Sequence, residues 1–303
     1  MSFWKNLVST GLATLLLTRA APLLAHDSEA LQVSLPWTFD AWIVIPLLLS
    51  GALYALGVLR LSRRILLGQR RLGGQAAAYA FGWLALAGAL LSPLHWLGEH
   101  LFTAHMVEHE IVMAIAAPLL VLSRPAAPLL WALRDTYRRF IGDRVARTPG
   151  LAIWRVLTRP SVATILHGLA IWLWHIPPFF DAALVNVSLH RLQHVSFLAT
   201  AILFWWSLLR RSSYGVAAWD LFFTMIHTTL LGVLMALAPR VLYGMQTADA
   251  PIWGLTPLED QQLAGIIMWV PAGTIYAGAA LAFIATWIRT AGKGWSAPTV
   301  SSP

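Results

Sequence analysis

Residues 101–123, LFTAHMVEHEIVMAIAAPLLVLS, decide how often this chain crosses a membrane. The second half, 111–123, is apolar, but the first half carries His105, Glu108, His109 and Glu110. An apolar helix of about 20 residues spans a bilayer, and imidazoles or carboxylates within one are costly and need a reason. We read 101–123 as a span whose carboxylates sit near its outer end, because the neighbouring segments need it for a consistent topology.

Working outward, uncharged stretches run 41–59, 72–98, 160–180, 192–209, 221–239 and 261–288, each at least 18 residues long. With 101–123 they make seven, and the fold expected is all-α, a polytopic membrane helical bundle over 39–290. The chain is 58% hydrophobic and 11% charged, and no soluble module stands out.

The net charge of +8, taken alone, suggests a nucleic-acid partner, but its distribution says otherwise. Five arginines lie in 60–71 and eight in 124–159, Arg210 and Arg211 follow 192–209, and Arg289 and Lys293 follow 261–288. These are alternate loops of a seven-span chain. The positive-inside rule makes them cytoplasmic, together with the tail 291–303. Within the loop 124–159, segment 129–141 fits a basic amphipathic helix lying on the inner surface against anionic lipid.

The N-terminus reads as a signal peptide over 1–25: Lys5, an apolar core Leu7–Leu17, and Leu23-Leu24-Ala25 before the cut. A periplasmic segment 26–38 would follow, beginning at His26. An uncleaved eighth helix is the alternative, with Arg19 inside it arguing against.

The chain has no cysteine, so thiolate sites and disulfides are excluded. Any metal must be held by His, Met, Asp, Glu or backbone. Seven of the ten histidines fall at one face of the membrane: His95, His100, His105, His109, His175, His190 and His194. Two H-x3-H pairs, His105/His109 and His190/His194, each share a helix face. His175 closes the fourth span at the same depth, so these five are the candidate metal ligands. His95 and His100 fall on a short outer loop, where solvation accounts for them. His167 and His227 lie deeper, each alone in its span, and fit interhelical hydrogen bonds.

Imidazole suits copper, zinc, iron and nickel. Met106, Met113 and Met268 would favour copper, although methionine is also a common core filler. His105-Met106-Val107-Glu108-His109 matches the H-x-x-E-H motif, in which two histidines bind zinc and Glu activates water. The second pair has Gln193 at the equivalent position, so only one pair could work in that way. A bis-histidine haem is a third possibility. The hairpins Ser92–His109 and Trp174–His194 form a weak repeat that would bring the two pairs towards one axis, with chance similarity the competing account.

A set of motifs in order over roughly 90–275 resembles the multi-span, histidine-rich CtaG family of cytochrome c oxidase assembly factors. The set comprises His105-Met106-x-x-His109 with Ala117-Pro118-Leu119-Leu120-Val121-Leu122 and Pro125, then Trp174-His175-x-Pro177, then Leu189-His190-x-x-Gln193-His194, then Asp260 to Trp269 (DQQLAGIIMW). A one-span copper carrier that shares the CtaG label needs cysteine thiols, and this chain has none. The resemblance implies a bacterial inner-membrane protein, not an enzyme, that helps supply copper to the oxidase subunit carrying the haem–copper site. The chain departs from the family pattern at Glu108, where the pattern has Gln.

Overall fold

In a computed structural model, residues 36–64, 68–147 and 150–293 are described. The expected signal peptide, the start of the segment 26–38 and the end of the tail lie outside them. The described chain is all helix and turn: α1 (Ala41–Ser62), α2 (Gln69–Leu91), α3 (Pro93–His100), α4 (Phe102–Glu110), a π-helical segment (Ile111–Ala116), α5 (Ala117–Leu122), α6 (Ala126–Ala132), α7 (Asp135–Arg147), α8 (Gly150–Leu157), α9 (Pro160–Trp174), α10 (Pro177–Val185), α11 (Val187–Arg210), α12 (Tyr214–Ala236), a 3-10 turn (Ala250–Trp253) and α13 (Pro257–Lys293).

Six helical stretches are long and apolar enough to cross a membrane, and seven if α8 and α9, which meet at 75°, count as one bent span. This is a multi-pass membrane bundle. Trp42, Ile45, Leu48 and Leu49 of α1 are all more than half exposed, as on a lipid-facing helix. The fourth span ends at His175, as the sequence reading had it, although the uncharged stretch runs on to residue 180. Pro177 holds Ile176 extended (ψ 120°), so α9 ends at Trp174 and α10 begins afresh. The 15 residues of α9 rise about 22 Å, short of a bilayer core. The amphipathic segment 129–141 is likewise two helices, α6 and α7, parted at Leu133, whose backbone is extended (ψ 155°).

The third span runs 102–122 as expected, but its ladder shifts to π spacing before Pro118. The Ala117 N–H bonds back to the Val112 carbonyl, five residues away. At that spacing the Met113 carbonyl would pair with Pro118, which has no N–H. The indole of Trp205 in α11 donates to it instead, at 3.0 Å. A local defect in one span thus becomes a tie between two. Spans α12 and α13 meet at glycines: a Cβ on Gly265 would lie 2.5 Å from the Gly232 carbonyl oxygen.

A histidine-lined candidate metal site

The short helix α3 starts where Ser92 accepts from the Leu94 N–H, with Pro93 at the first helical position. Leu101 is extended and turns the chain into α4. Because Leu101 cannot cap α4, Asp260 at the start of α13 does so. Its carboxylate accepts from the Phe102 N–H (2.8 Å), the Thr103 N–H (2.9 Å) and the Thr103 hydroxyl (2.7 Å). In α11, Asn186 caps the Ser188 and Leu189 N–H groups, which sets His190 and His194 in the first two turns. Arg191 between them reaches Asp40 at the head of α1, 2.8 Å away.

The structure brings both H-x3-H pairs together. Ring centroids of His105 and His109 are 4.2 Å apart, of His190 and His194 4.6 Å, and of His109 and His194 5.1 Å. His105 lies 6.0 Å from His190. His95, which the sequence placed on a solvated loop, is buried in the same cluster, 5.7 Å from His190 and 5.6 Å from His194. His95, His190 and His194 each offer a ring nitrogen within 4.8 Å of the others. The two Nε2 atoms of His190 and His194 are 3.1 Å apart. Two nitrogens on one tetrahedral ion with ~2.0 Å bonds would stand about 3.3 Å apart.

The tautomers follow from the partners. His95 donates from Nδ1 to Glu108 Oε1 at 2.8 Å, which leaves its Nε2 lone pair for a ligand. His105 donates from Nδ1 to the Gly98 carbonyl (3.2 Å) and His175 to the Ile171 carbonyl (2.7 Å). A ring nitrogen held by a carboxylate or carbonyl, with the other free, is the usual second shell of a metal-binding histidine. The free atoms are also unpartnered: Nε2 of His105 and His175, both ring nitrogens of His109, Nδ1 of His194 and Glu108 Oε2 are buried without a hydrogen bond. Unpaired buried polar atoms cost about 1–3 kcal/mol each, so a cluster of them suits a bound cation.

His175 stands one layer away. The rings against it are Phe180 (6.4 Å) and Phe197 (6.3 Å), which also stand against His105 and His109 respectively. His100 is occupied locally, bonded to the Trp96 carbonyl and stacked on the Trp96 ring. His167 bonds Thr200, and His227 accepts from the Trp172 indole, both between helices. Met106, Met113 and Met268 are packed in the main apolar core.

Sequence reasoning missed His95. Its signal was Ser92-Pro93, a cap followed by proline at the first turn, which makes 93–100 a helix rather than a loop. Gly98 belongs to the same design, since a Cβ there would come within 3.0 Å of Glu108 Oε2 and 3.3 Å of His105 Cα.

Fold and site define a multi-pass helical membrane protein with a thiol-free imidazole cluster, buried on the α3–α4 side and partly buried on α11, at one end of its bundle. The chain belongs to the family of cytochrome c oxidase caa3 assembly factors, Caa3_CtaG, which it matches over residues 52–290. It is also similar to uncharacterised proteins of Mycobacterium bovis and Mycobacterium tuberculosis, each 27% identical over 270 residues, and to one of Mycobacterium leprae at 24%. These alignments cover 84% of this chain but only 39–40% of the relatives, so the chain spans about two fifths of their length. No solved structure matches it.

Proposed function

We propose that this chain binds copper, as Cu(I), at the outer face of a bacterial plasma membrane and passes it to the oxidase subunit that carries the haem–copper site. The C-terminus is then cytoplasmic, and the copper is cargo. The observation that supports this most is the His95–His190–His194 trio, three imidazole nitrogens within 4.8 Å in a chain without thiols.

Charge favours the monovalent ion. The trio contributes three neutral ligands, and the buried carboxylate of Glu108 holds the far side of His95. One Cu(I) and one carboxylate cancel, whereas a divalent ion would leave an unpaired charge in a low-dielectric site. Three neutral ligands without thiolate also bind loosely enough to release the ion by stepwise ligand exchange. His105 and His109 lie beside the trio and offer further lone pairs for that exchange.

The zinc-enzyme alternative for H-x-x-E-H asks Glu108 to activate water. Here Glu108 is 1% exposed and its Oε1 is bonded to His95, an arrangement that orients a ligand. A haem site is separated from both by the absorption spectrum of the purified protein.

The test is oxidase copper content in cells under copper limitation. Replacing His95 and His190 together by Ala should lower it as far as deleting the gene does. Normal occupancy in either strain would contradict the proposal.

A further inference from the structure

The end of α1 opposite the histidine cluster carries a second polar site of different chemistry. Gly57 of α1 lies directly against the Pro128 carbonyl of α6, where any Cβ would collide with backbone. Three residues on, Arg60 donates to the Ala132 carbonyl (2.5 Å) and the Trp131 carbonyl (3.4 Å), capping the end of α6. These contacts fix α6 along the last turns of α1. The gap they leave is a cavity of about 380 Å³ lined by Arg60, Arg63, Arg64, Arg134 and Arg138, with Asp135 as its one carboxylate among the described residues.

The five guanidinium groups are not equivalent. Arg60 is committed to the α6 carbonyls. Arg138 pairs with Asp135 at 3.0 Å and lies 4.1 Å over the Trp131 ring. Arg64 stands 6.0 Å over the same ring. Arg63 and Arg134 have no side-chain partner among the described residues. Like charges brought together around a cavity repel unless an anion joins them. Two unengaged planar forks suit the bidentate geometry of a phosphate.

The surroundings say where such a phosphate comes from. The cavity lies at the end of a membrane-crossing helix, the depth of lipid headgroups. Leu56 and Leu59 of α1, one to two turns deeper, are exposed along its side. Tyr137 and Phe140 of α7 are more than half exposed beside it, as interfacial aromatics are. A soluble anion would use the arginines but not this apolar flank. We propose that the cavity binds the phosphate headgroup of an anionic phospholipid, with its acyl chains along α1, and that this lipid locks α6 and α7 to the membrane face of the bundle. The proposal is independent of the copper reading.

The test is native mass spectrometry of the full chain, delipidated in detergent and then offered mixed micelles of phosphatidylglycerol or phosphatidylcholine. The wild type should retain phosphatidylglycerol preferentially. The double variant Arg63→Ala/Arg134→Ala should retain about thirtyfold less of it, from the usual effect of two interfacial arginines. Arg155→Ala, on exposed α8, should change nothing. Where the double variant does not fold, Arg63→Gln and Arg134→Gln singly give the same comparison. Equal retention of the two lipids, or undiminished retention by the variants, would overturn the proposal. Displacement of the lipid by millimolar inorganic phosphate would also overturn it, because the ligand would then be a free phosphate.

Discussion

Asp260→Ala should be among the most destabilising single changes in this chain, although Asp260 is 157 residues from what it holds. The carboxylate is fully buried and accepts from the Phe102 and Thr103 N–H groups and from the Thr103 hydroxyl. Hydrogen bonds to a charged acceptor contribute about 1.5–3 kcal/mol each, and deletion leaves buried donors unsatisfied. The two backbone bonds then account for roughly 3–6 kcal/mol. The hydroxyl loses less, because it also reaches the Asp260 carbonyl at 3.2 Å. The expected cost, taken near the middle of that range, is about 4 kcal/mol for Ala. For Asn, which keeps one acceptor but turns an NH2 towards a donor, it is about 2 kcal/mol. Reversible unfolding in mixed micelles titrated with SDS, followed by tryptophan fluorescence, measures both. An Ala variant within about 1 kcal/mol of wild type, or an Asn variant as costly as Ala, would mean that the Asp260 carboxylate does not hold the start of α4.

The contact between α12 and α13 gives a paired test in the same assay. Gly265→Val should cost about 3 kcal/mol by overpacking backbone against backbone. Gly278→Ala, with nothing within 4 Å, should be neutral or slightly stabilising. Glu108→Gln keeps a hydrogen bond to His95 but removes the compensating charge about 7 Å from a bound ion, roughly 2 kcal/mol at an effective dielectric of 20. Cu(I) affinity, by competition with a chromophoric chelator, should fall about thirtyfold without being abolished. Total loss would mean that Glu108 is a ligand. Asp40 lies just ahead of the first span, and its partner Arg191 is in the second turn of α11. The Trp42 N–H, then Arg191, hold the Asp40 carboxyl below its ordinary value of 3.8. A depressed carboxyl contributes stability above its unfolded value and loses it as pH falls through the folded one. Arg191→Gln should therefore cost at most about 1 kcal/mol at neutral pH, since the pair is partly exposed. That difference should vanish well below pH 3.8. A difference that persists in acid would assign Arg191 another role, such as its stacking over Trp42.

The spans were legible because apolar runs and clustered arginines are one-dimensional signals. The end of the fourth span at His175 was legible as well; the separate helix α10 that follows was not, because residues 160–180 are uncharged throughout and hydropathy is blind to what Pro177 does to Ile176. That His105 and His109 share a face, and His190 and His194 another, followed from i, i+4 spacing; that both faces turn inward needed the packing. His95 was lost by reading Ser92-Pro93 as a loop rather than a helix start. Glu108 stood out as a departure from the family pattern, but its partner could not be read, because the hydrogen bond to His95 joins two helices. Asp260 and the arginine cavity share that difficulty: their halves lie far apart in sequence, and only packing joins them.

An imidazole trio that holds copper without sulfur has a spectroscopic signature of its own. The most direct measurement is copper K-edge absorption of the full chain loaded with one equivalent of Cu(I), purified without a metal-binding tag, beside the His95→Ala and His190→Ala variants. The wild type should show a Cu(I) edge and about three imidazole nitrogens near 2 Å, with no sulfur shell, and either variant one nitrogen fewer or no retained copper. A thioether sulfur shell, or a wild-type spectrum unchanged in both variants, would contradict it.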